Sequence, residues 1–318
     1  MGMTVIEGVG SYLPTYRITA QEIGEAWDGF RARGIQEKRV PGADEDAVTM
    51  AVAACKDALA DASVGRNSLT TLSVGTTTPP REEGDIGTTI AEILGLENDI
   101  EVSVHTQSTR AGTRALLAAV RADGPALAVA ADCPQGDPDD AIDHGAGAGA
   151  VAVVTGDSGP TVRQTATYTR EFPGTRFRQR GSESVETYDA TAYEREAYTT
   201  TINGALELLD DVPAALAPTA PDGSLPGRVG RSADVDSVHH LASELGDTGA
   251  ASPLFGLLAA WDAGEETVAV LGYGAGSSVD AIVIEGALDV DWARPATDIS
   301  YPEYLRKRGH VLSNGGDH

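Results

Sequence analysis

Only three lysines, Lys38, Lys56 and Lys307, stand in 318 residues, and the other basic residues are arginines, while acidic residues outnumber basic ones 48 to 23. A net charge of -25 argues against binding to nucleic acid or to an anionic membrane, both of which require cationic patches. The same acidic, lysine-poor surface suits a chain that stays hydrated at molar salt, and repulsion among its carboxylates destabilises it where salt does not screen them. A halophile's cytoplasm is the setting this predicts. Only two cysteines are present, too few for a disulfide framework or a zinc-binding set. No apolar run approaches the roughly 20 residues of a membrane helix. The first residues, MGMTVIEGVGSYLP, lack a basic stretch followed by an apolar one, so no signal peptide is expected and a cytoplasmic location follows.

What is present is an alternation of short apolar runs with longer amphipathic stretches, the pattern of an α/β protein. The runs VIEGVG, LTTLSVG, IEVSVH, PALAVAA and GAVAVVTG read as strands of a first half. The runs TVRQTATY, AALAPT, TVAVLGY and VDAIVIEG read as strands of a second. Helices are expected over DEDAVTMAVAACKDALADA, where Val48, Ala51, Val52, Cys55, Leu59 and Ala62 share one face, and over STRAGTRALLAAVRADG, AYTTTINGALELLDD and SPLFGLLAAWDAG. In the second of these, Ser108 or Thr109 is expected to cap the start and Gly124 to close the end. Two similar halves suggest a duplication: residues 1–160, residues 161–290 with a polar, arginine-rich excursion at about 171–189, and a tail at 291–318.

Several motifs look functional and have plainer explanations. The glycine-rich strings at 145–154 and 272–284 run into strand-like sequence rather than opening a helix, so they read as tight turns between antiparallel strands, not phosphate loops. Asp137, Asp139, Asp140 and Asp143 beside His144 lack calcium-loop spacing and read as a solvated loop, and no metal site is expected. Cys55 lies on an apolar helix face and reads as a core residue. Cys133, at the end of PALAVAADC, is the one plausible substitute thiol, with an inert cysteine as the alternative. His105, His239 and His240 have no recognisable serine or cysteine partner, and no Gly-x-Ser-x-Gly elbow occurs.

The strings GVGSYLPTYRIT, EKRVPGADEDAVTMAV, VGTTT with TTIAEILGL, RAGTRALLAAV, AADCPQGDPDDAIDHGAGAGAVAVV, GDTGAASPLFGLLAAWDAG and LGYGAGSSVDAIVI run in one order from about residue 3 to 287. Together they resemble the archaeal 3-hydroxy-3-methylglutaryl-CoA synthase family, relatives of the ketoacyl synthase III enzymes in the thiolase superfamily. The resemblance implies a five-layered αβαβα duplication, usually dimeric, with its active site where the halves meet. It also implies a cysteine nucleophile at a helix start, a glutamate acid/base and a histidine. The nucleophile position, directly before a basic residue and Ala-Gly-Thr, matches Thr109, followed by Arg110. The glutamate position, two beyond Val74-Gly75, matches Thr77. The histidine position matches Thr219 before Ala220-Pro221-Asp222-Gly223, and an asparagine of a Gly-Asn-Thr string matches Asp247.

A threonine hydroxyl ionises too weakly near neutral pH to replace a thiolate unless a base adjoins it. With all three groups replaced, the resemblance implies a catalytically degenerate paralogue, an acyl-CoA-binding or scaffolding subunit; the alternative is an acyltransferase with altered active-site residues. No cofactor is expected to stay bound, though a coenzyme A thioester is the implied ligand, with Arg110 as a cation for it or a simple surface charge at a helix start. A homodimer, or a heterodimer with a thiolase-superfamily paralogue, is the implied assembly. The string ISYPEYLRKRG resembles the tails of synthases that associate with small zinc-ribbon and OB-fold subunits. Tyr301 and Tyr304 would anchor such a partner and Arg306, Lys307 and Arg308 would steer it, the plainer alternative being a tail packed on its own body.

Overall fold

The computed structural model describes residues 4–172, 176–187 and 193–311; residues 173–175 and 188–189 of the expected excursion and 312–318 of the tail lie outside the described residues. Strands β1 (Val5–Tyr12), β4 (Thr71–Gly75), β5 (Glu101–His105), β6 (Ala126–Asp132) and β7 (Gly149–Gly156) come from the first half. Strands β8 (Thr161–Thr169), β9 (Ala215–Pro218), β10 (Ser237–Val238), β11 (Thr267–Gly274) and β12 (Ser278–Glu285) come from the second. They line up as β10-β9-β11-β12-β8-β1-β7-β6-β4-β5. Numbered within its own half, each set of five runs 3-2-4-5-1 from its outer edge to the junction, so the repeat suspected from sequence is a repeat of topology. β1 and β8 share a single residue pair, Val5 with Thr161.

Alternation along the strands explains the layers. In β6, Ala126, Ala128 and Ala130 face a core shared with α4 (Ala111–Val120) and α9 (Ser252–Asp262), while Leu127, Val129 and Ala131 face α2 (Ala47–Asp61) and α3 (Ile86–Leu94). In β11, Val268 and Val270 face the same central helices, and Ala269 and Leu271 face α6 (Thr199–Leu206) and α7 (Leu225–Ala233). Strands buried on both faces read as continuous apolar runs, which is why they stood out in the sequence. The result is α/β/α/β/α, with α4 and α9 sandwiched at the middle.

Helix α2 starts at a reciprocal capping box, Asp46 Oδ1 accepting from Thr49 N at 2.8 Å while Thr49 Oγ1 accepts from Asp46 N at 2.8 Å. Cys55 on this helix is fully buried, and burial pushes its thiol pKa far up. Several sequence expectations need correction. Helix α4 begins at Ala111 and ends at Val120 with Arg121 as its cap, and no side chain caps its start; the hydroxyl of Thr109 is used elsewhere, and Gly124 lies beyond the end. Helix α6 is shorter than expected and is preceded by a π-helical turn over Tyr193–Tyr198. The string at 145–154 is not a turn: it passes from the end of the short helix α5 (Ala141–Gly145) through residues 146–148, where Ala146 bridges to Asp247, into β7. The string at 272–284 is indeed a hairpin, with β11 and β12 antiparallel.

The tail folds inward. Strands β2 (Tyr16–Thr19), β3 (Glu37–Val40) and β13 (Thr297–Asp298) form a small sheet that sequence periodicity did not reveal. Helix α1 (Ala20–Trp27) and helix α10 (Tyr301–Lys307) pack on it through a core of Ile18, Ile23, Val40, Ile299, Tyr301 and Tyr304. Tyr301 and Tyr304 are therefore buried in the chain's own body, correcting the expectation that they anchor a partner. Lys307 lies 3.2 Å over the Tyr16 ring. The Tyr304 hydroxyl accepts from Lys38 Nζ at 2.9 Å and donates to Asp143 Oδ2 at 2.6 Å. Asp143 and His144, expected in a solvated loop, are buried. Among the described residues no helix is long and apolar enough to cross a membrane.

Candidate functional site

The register of β4 against β6 pairs Gly75 with Ala130. Two residues further on, the chain reaches Thr77 on one strand end and Asp132 on the other, so a carboxylate and a run of hydroxyls meet at the carboxyl edge of the sheet. Asp132 is fully buried and accepts six hydrogen bonds. Its Oδ1 takes Thr76 Oγ1 at 2.9 Å, Thr77 N at 2.7 Å, Thr78 N at 2.9 Å and Thr78 Oγ1 at 2.7 Å. Its Oδ2 takes Thr77 Oγ1 at 2.8 Å and Ala250 N at 2.7 Å. Burial raises its pKa while these donors pull it down.

Thr109 stands just before α4, where Gln107 adopts a left-handed φ of 75° to turn the chain. Close backbone contacts bring this helix start to the other site elements: a Cβ on Gly75 would sit 2.3 Å from the Ala111 carbonyl oxygen, and one on Gly112 would sit 2.0 Å from that of Ala250. Only glycine permits either approach. The Thr109 hydroxyl donates to the Tyr273 carbonyl at 2.6 Å, and Tyr273 N donates to Thr219 Oγ1 at 2.9 Å. Thr109 and Thr219 thus meet on the two backbone polar groups of one residue of β11. Asp247, on the loop that carries Ala250, accepts from Gly249 N at 2.9 Å and from Arg176 Nη1 at 2.9 Å.

The structure therefore gathers Thr109 and Thr219 on Tyr273, and Thr77 and Asp247 on the two flanks of the Ala250 loop. No histidine is hydrogen-bonded to Thr77, Thr109 or Thr219 among the described residues. His239 Nε2 instead lies 3.0 Å from Glu265, and His105 is 3.5 Å from Ser103. Cys133 N donates to Thr78 Oγ1 at 3.0 Å, and burial raises the pKa of its thiol, which opposes thiolate formation. Arg110 points inward: its guanidinium grips the fully buried Asp280 through Nε at 2.8 Å and Nη2 at 2.9 Å. Thr167 Oγ1 at 2.7 Å and Thr113 Oγ1 at 3.3 Å complete that carboxylate's partners, with Arg114 at 3.5 Å. The cations that touch candidate-site groups are instead Arg176 and Arg178, the latter donating to the Thr77 carbonyl.

Asp132 and Arg176 are the residues sequence reasoning missed. The carboxylate had a visible signal, since three consecutive threonines follow one strand and an aspartate ends another. Arg176 had none, lying in a stretch without periodicity. Among the described residues no group of three or more His, Cys, Asp or Glu side chains is placed to hold a metal ion.

No protein-family model matches the chain. The hydroxymethylglutaryl-CoA synthase of Methanopyrus kandleri is 30% identical over 332 aligned residues, covering 96% of this chain and 94% of that protein. That of Pyrococcus furiosus is 38% identical over 157 residues, a match that spans 48% of this chain and about half, 45%, of the relative. Among solved structures, an HMG-CoA synthase complexed with CoA superposes with a TM-score of 0.87 at 14% identity, covering 96% of this chain and 90% of that one. The 3-oxoacyl-(acyl carrier protein) synthase III of Pseudomonas aeruginosa superposes with a TM-score of 0.79 at 19% identity, covering 91% and 100%.

Proposed function

Since this chain belongs to the hydroxymethylglutaryl-CoA synthase family and has its thiolase-like fold, we propose that it is a non-condensing member, an acyl-CoA-binding or scaffolding subunit. The observation that carries this reading is the use made of the three threonine hydroxyls. Thr109 donates to a peptide carbonyl, Thr219 accepts from a peptide N–H, and Thr77 donates to Asp132. A hydroxyl nucleophile needs a base positioned to take its proton, and a peptide carbonyl is not one. Asp132 does touch a site hydroxyl, but six donors already occupy its lone pairs. Thr77 Oγ1 is itself one of the six, and the other five donors favour the charged carboxylate, which opposes transfer of the Thr77 proton to it.

A CoA thioester is the ligand we propose, by likeness to the solved synthase that holds CoA. With Arg110 committed to Asp280, the phosphates would have to find their cations elsewhere. The proposed assembly is a homodimer, or a heterodimer with an intact paralogue, through β5, which ends the sheet with every residue at least partly exposed. A small-subunit partner at the tail would meet the outer face of α10, at Pro302, Glu303 and Arg306, rather than its tyrosines.

The test is incubation with acetyl-CoA, alone and with acetoacetyl-CoA, in molar KCl, reading intact mass and free coenzyme A. The proposal expects saturable CoA binding, no stoichiometric acetyl adduct and no turnover. Thr109→Cys should regain at most acylation, and only a triple variant restoring glutamate at 77, cysteine at 109 and histidine at 219 should regain condensation. A wild-type adduct at Thr109 or Cys133, with turnover, would favour the acyltransferase with altered residues.

A further inference from the structure

The excursion between β8 and α6 has a structure that its irregular sequence did not announce. Residues 176–187 double back on themselves, Phe177 and Glu186 exchanging both backbone hydrogen bonds at 3.0 and 2.8 Å. The doubled segment spans the loops that follow β4 and β6. On the β4 side, Arg178 donates to the Thr77 carbonyl, and Gly181 N donates to Glu82 Oε1 at 2.9 Å, with Arg180 3.5 Å from the same carboxylate. On the β6 side, Val185 N donates to the Gln135 carbonyl and Ser184 Oγ to Asp137 Oδ1, both at 2.9 Å. Cys133 adjoins both footholds in the chain, its N–H donating to Thr78 Oγ1 and Gln135 following two residues on.

We propose that residues 176–187 form a strap across the candidate site, latched by the Arg176–Asp247 ion pair, and that the site opens when this pair breaks. The fastenings differ in kind. Arg178, Arg180, Gly181 and Glu82 are exposed, and solvent-exposed polar contacts exchange readily with water and contribute little; the bond from buried Val185 to Gln135 is sheltered but neutral. The Arg176–Asp247 pair is sheltered, its side chains 12% and 5% exposed. A sheltered pair is poorly screened by salt, and a carboxylate left behind without its cation is costly. The latch therefore holds even at high ionic strength, where surface pairs fade. It also joins the strap to the loop carrying Ala250, whose N–H reaches Asp132, so closing the strap and ordering the site are one event.

The two cysteines supply a built-in assay. Cys55 is sealed in the core and becomes reactive only on global unfolding, whereas the partly exposed Cys133 adjoins both footholds of the strap, bonded to Thr78 and two residues before Gln135. The full chain, in molar KCl, is treated with a maleimide, and labelling of each cysteine is followed by peptide mass. Arg176→Ala should label Cys133 at least about tenfold faster than wild type, the factor produced by destabilising the closed state by ~1.4 kcal/mol, with Cys55 still protected. Arg176→Ala adds no positive charge that could lower the thiol pKa, so acceleration reports opening. Arg176→Lys, which keeps the charge but loses the planar fork, should fall between the two. Labelling of Cys133 at the wild-type rate in Arg176→Ala, with Cys55 protected, would overturn the proposal. Should Arg176→Ala unfold and expose both thiols together, Asp247→Asn decides: faster Cys133 labelling supports the latch, and an unchanged rate refutes it. None of these readouts depends on coenzyme A, so the strap stands or falls apart from the proposed ligand.

Discussion

Replacing Asp132 by asparagine removes one charge and almost no volume, and the geometry says what should follow. The favourable orientation keeps the amide oxygen at Oδ1, where Thr76, Thr77 and Thr78 supply four donors. The amide nitrogen then stands at Oδ2, facing Thr77 Oγ1 and Ala250 N. The Thr77 hydroxyl can turn to accept from it. The Ala250 N–H cannot, and a buried N–H without an acceptor costs about 1–3 kcal/mol. The four surviving bonds lose the charge assistance that makes bonds to a carboxylate roughly twice as strong as neutral ones. Together Asp132→Asn should destabilise the fold by about 3–5 kcal/mol, and Asp132→Leu, which strands all the donors, by more. Thr76→Val, which deletes one donor, should cost only about 1 kcal/mol. The assay is urea unfolding in molar KCl, followed by circular dichroism. An Asp132→Asn midpoint within about 0.5 kcal/mol of wild type, the range of ordinary surface substitutions, would refute the idea that this carboxylate organises the strand ends and the Ala250 loop.

Arg110→Ala should also destabilise by roughly 3–5 kcal/mol, because it leaves Asp280 buried beside a weaker cation, while coenzyme A affinity measured by calorimetry should change little. Burial lowers the Lys38 ammonium to about 7 from 10.5. A base depressed in the fold costs stability while charged and is relieved as pH rises from the folded towards the unfolded value. Urea stability should therefore increase by about 2–3 kcal/mol between about pH 6.5 and 9, and Lys38→Met should flatten the slope. Tyr304→Phe deprives Lys38 of an acceptor and Asp143 of a donor in a buried cluster and should cost about 2–4 kcal/mol in the same titration. An unaffected Tyr304→Phe variant would mean that α10 does not dock through this hydroxyl.

How much of this was readable beforehand follows from which residues speak locally. Strands β6 and β11 were legible because both faces are buried, and α4 and α9 because a helix between two sheets must be apolar nearly all round. The duplication was legible as two runs of similar elements, although the identical 3-2-4-5-1 order needed pairing information that no single strand carries. The site was legible only as far as neighbours in sequence reach. Thr109 could be placed at a helix start, but its acceptor on Tyr273 is 164 residues away. Arg110 looked like a free cation because Asp280, 170 residues on, is just another acid in an acidic chain. The tail shows the limit most clearly. Tyr301, Tyr304 and Leu305 lie along one face of α10, and such spacing states that the face is covered, whichever surface covers it. Lys38 is what distinguishes self from partner: a lysine in a chain with three of them, fully buried, must have its ammonium met by something inside. The Tyr304 hydroxyl and the Asp143 carbonyl meet it, which binds the tail to the body that an isolated reading of ISYPEYLRKRG left open.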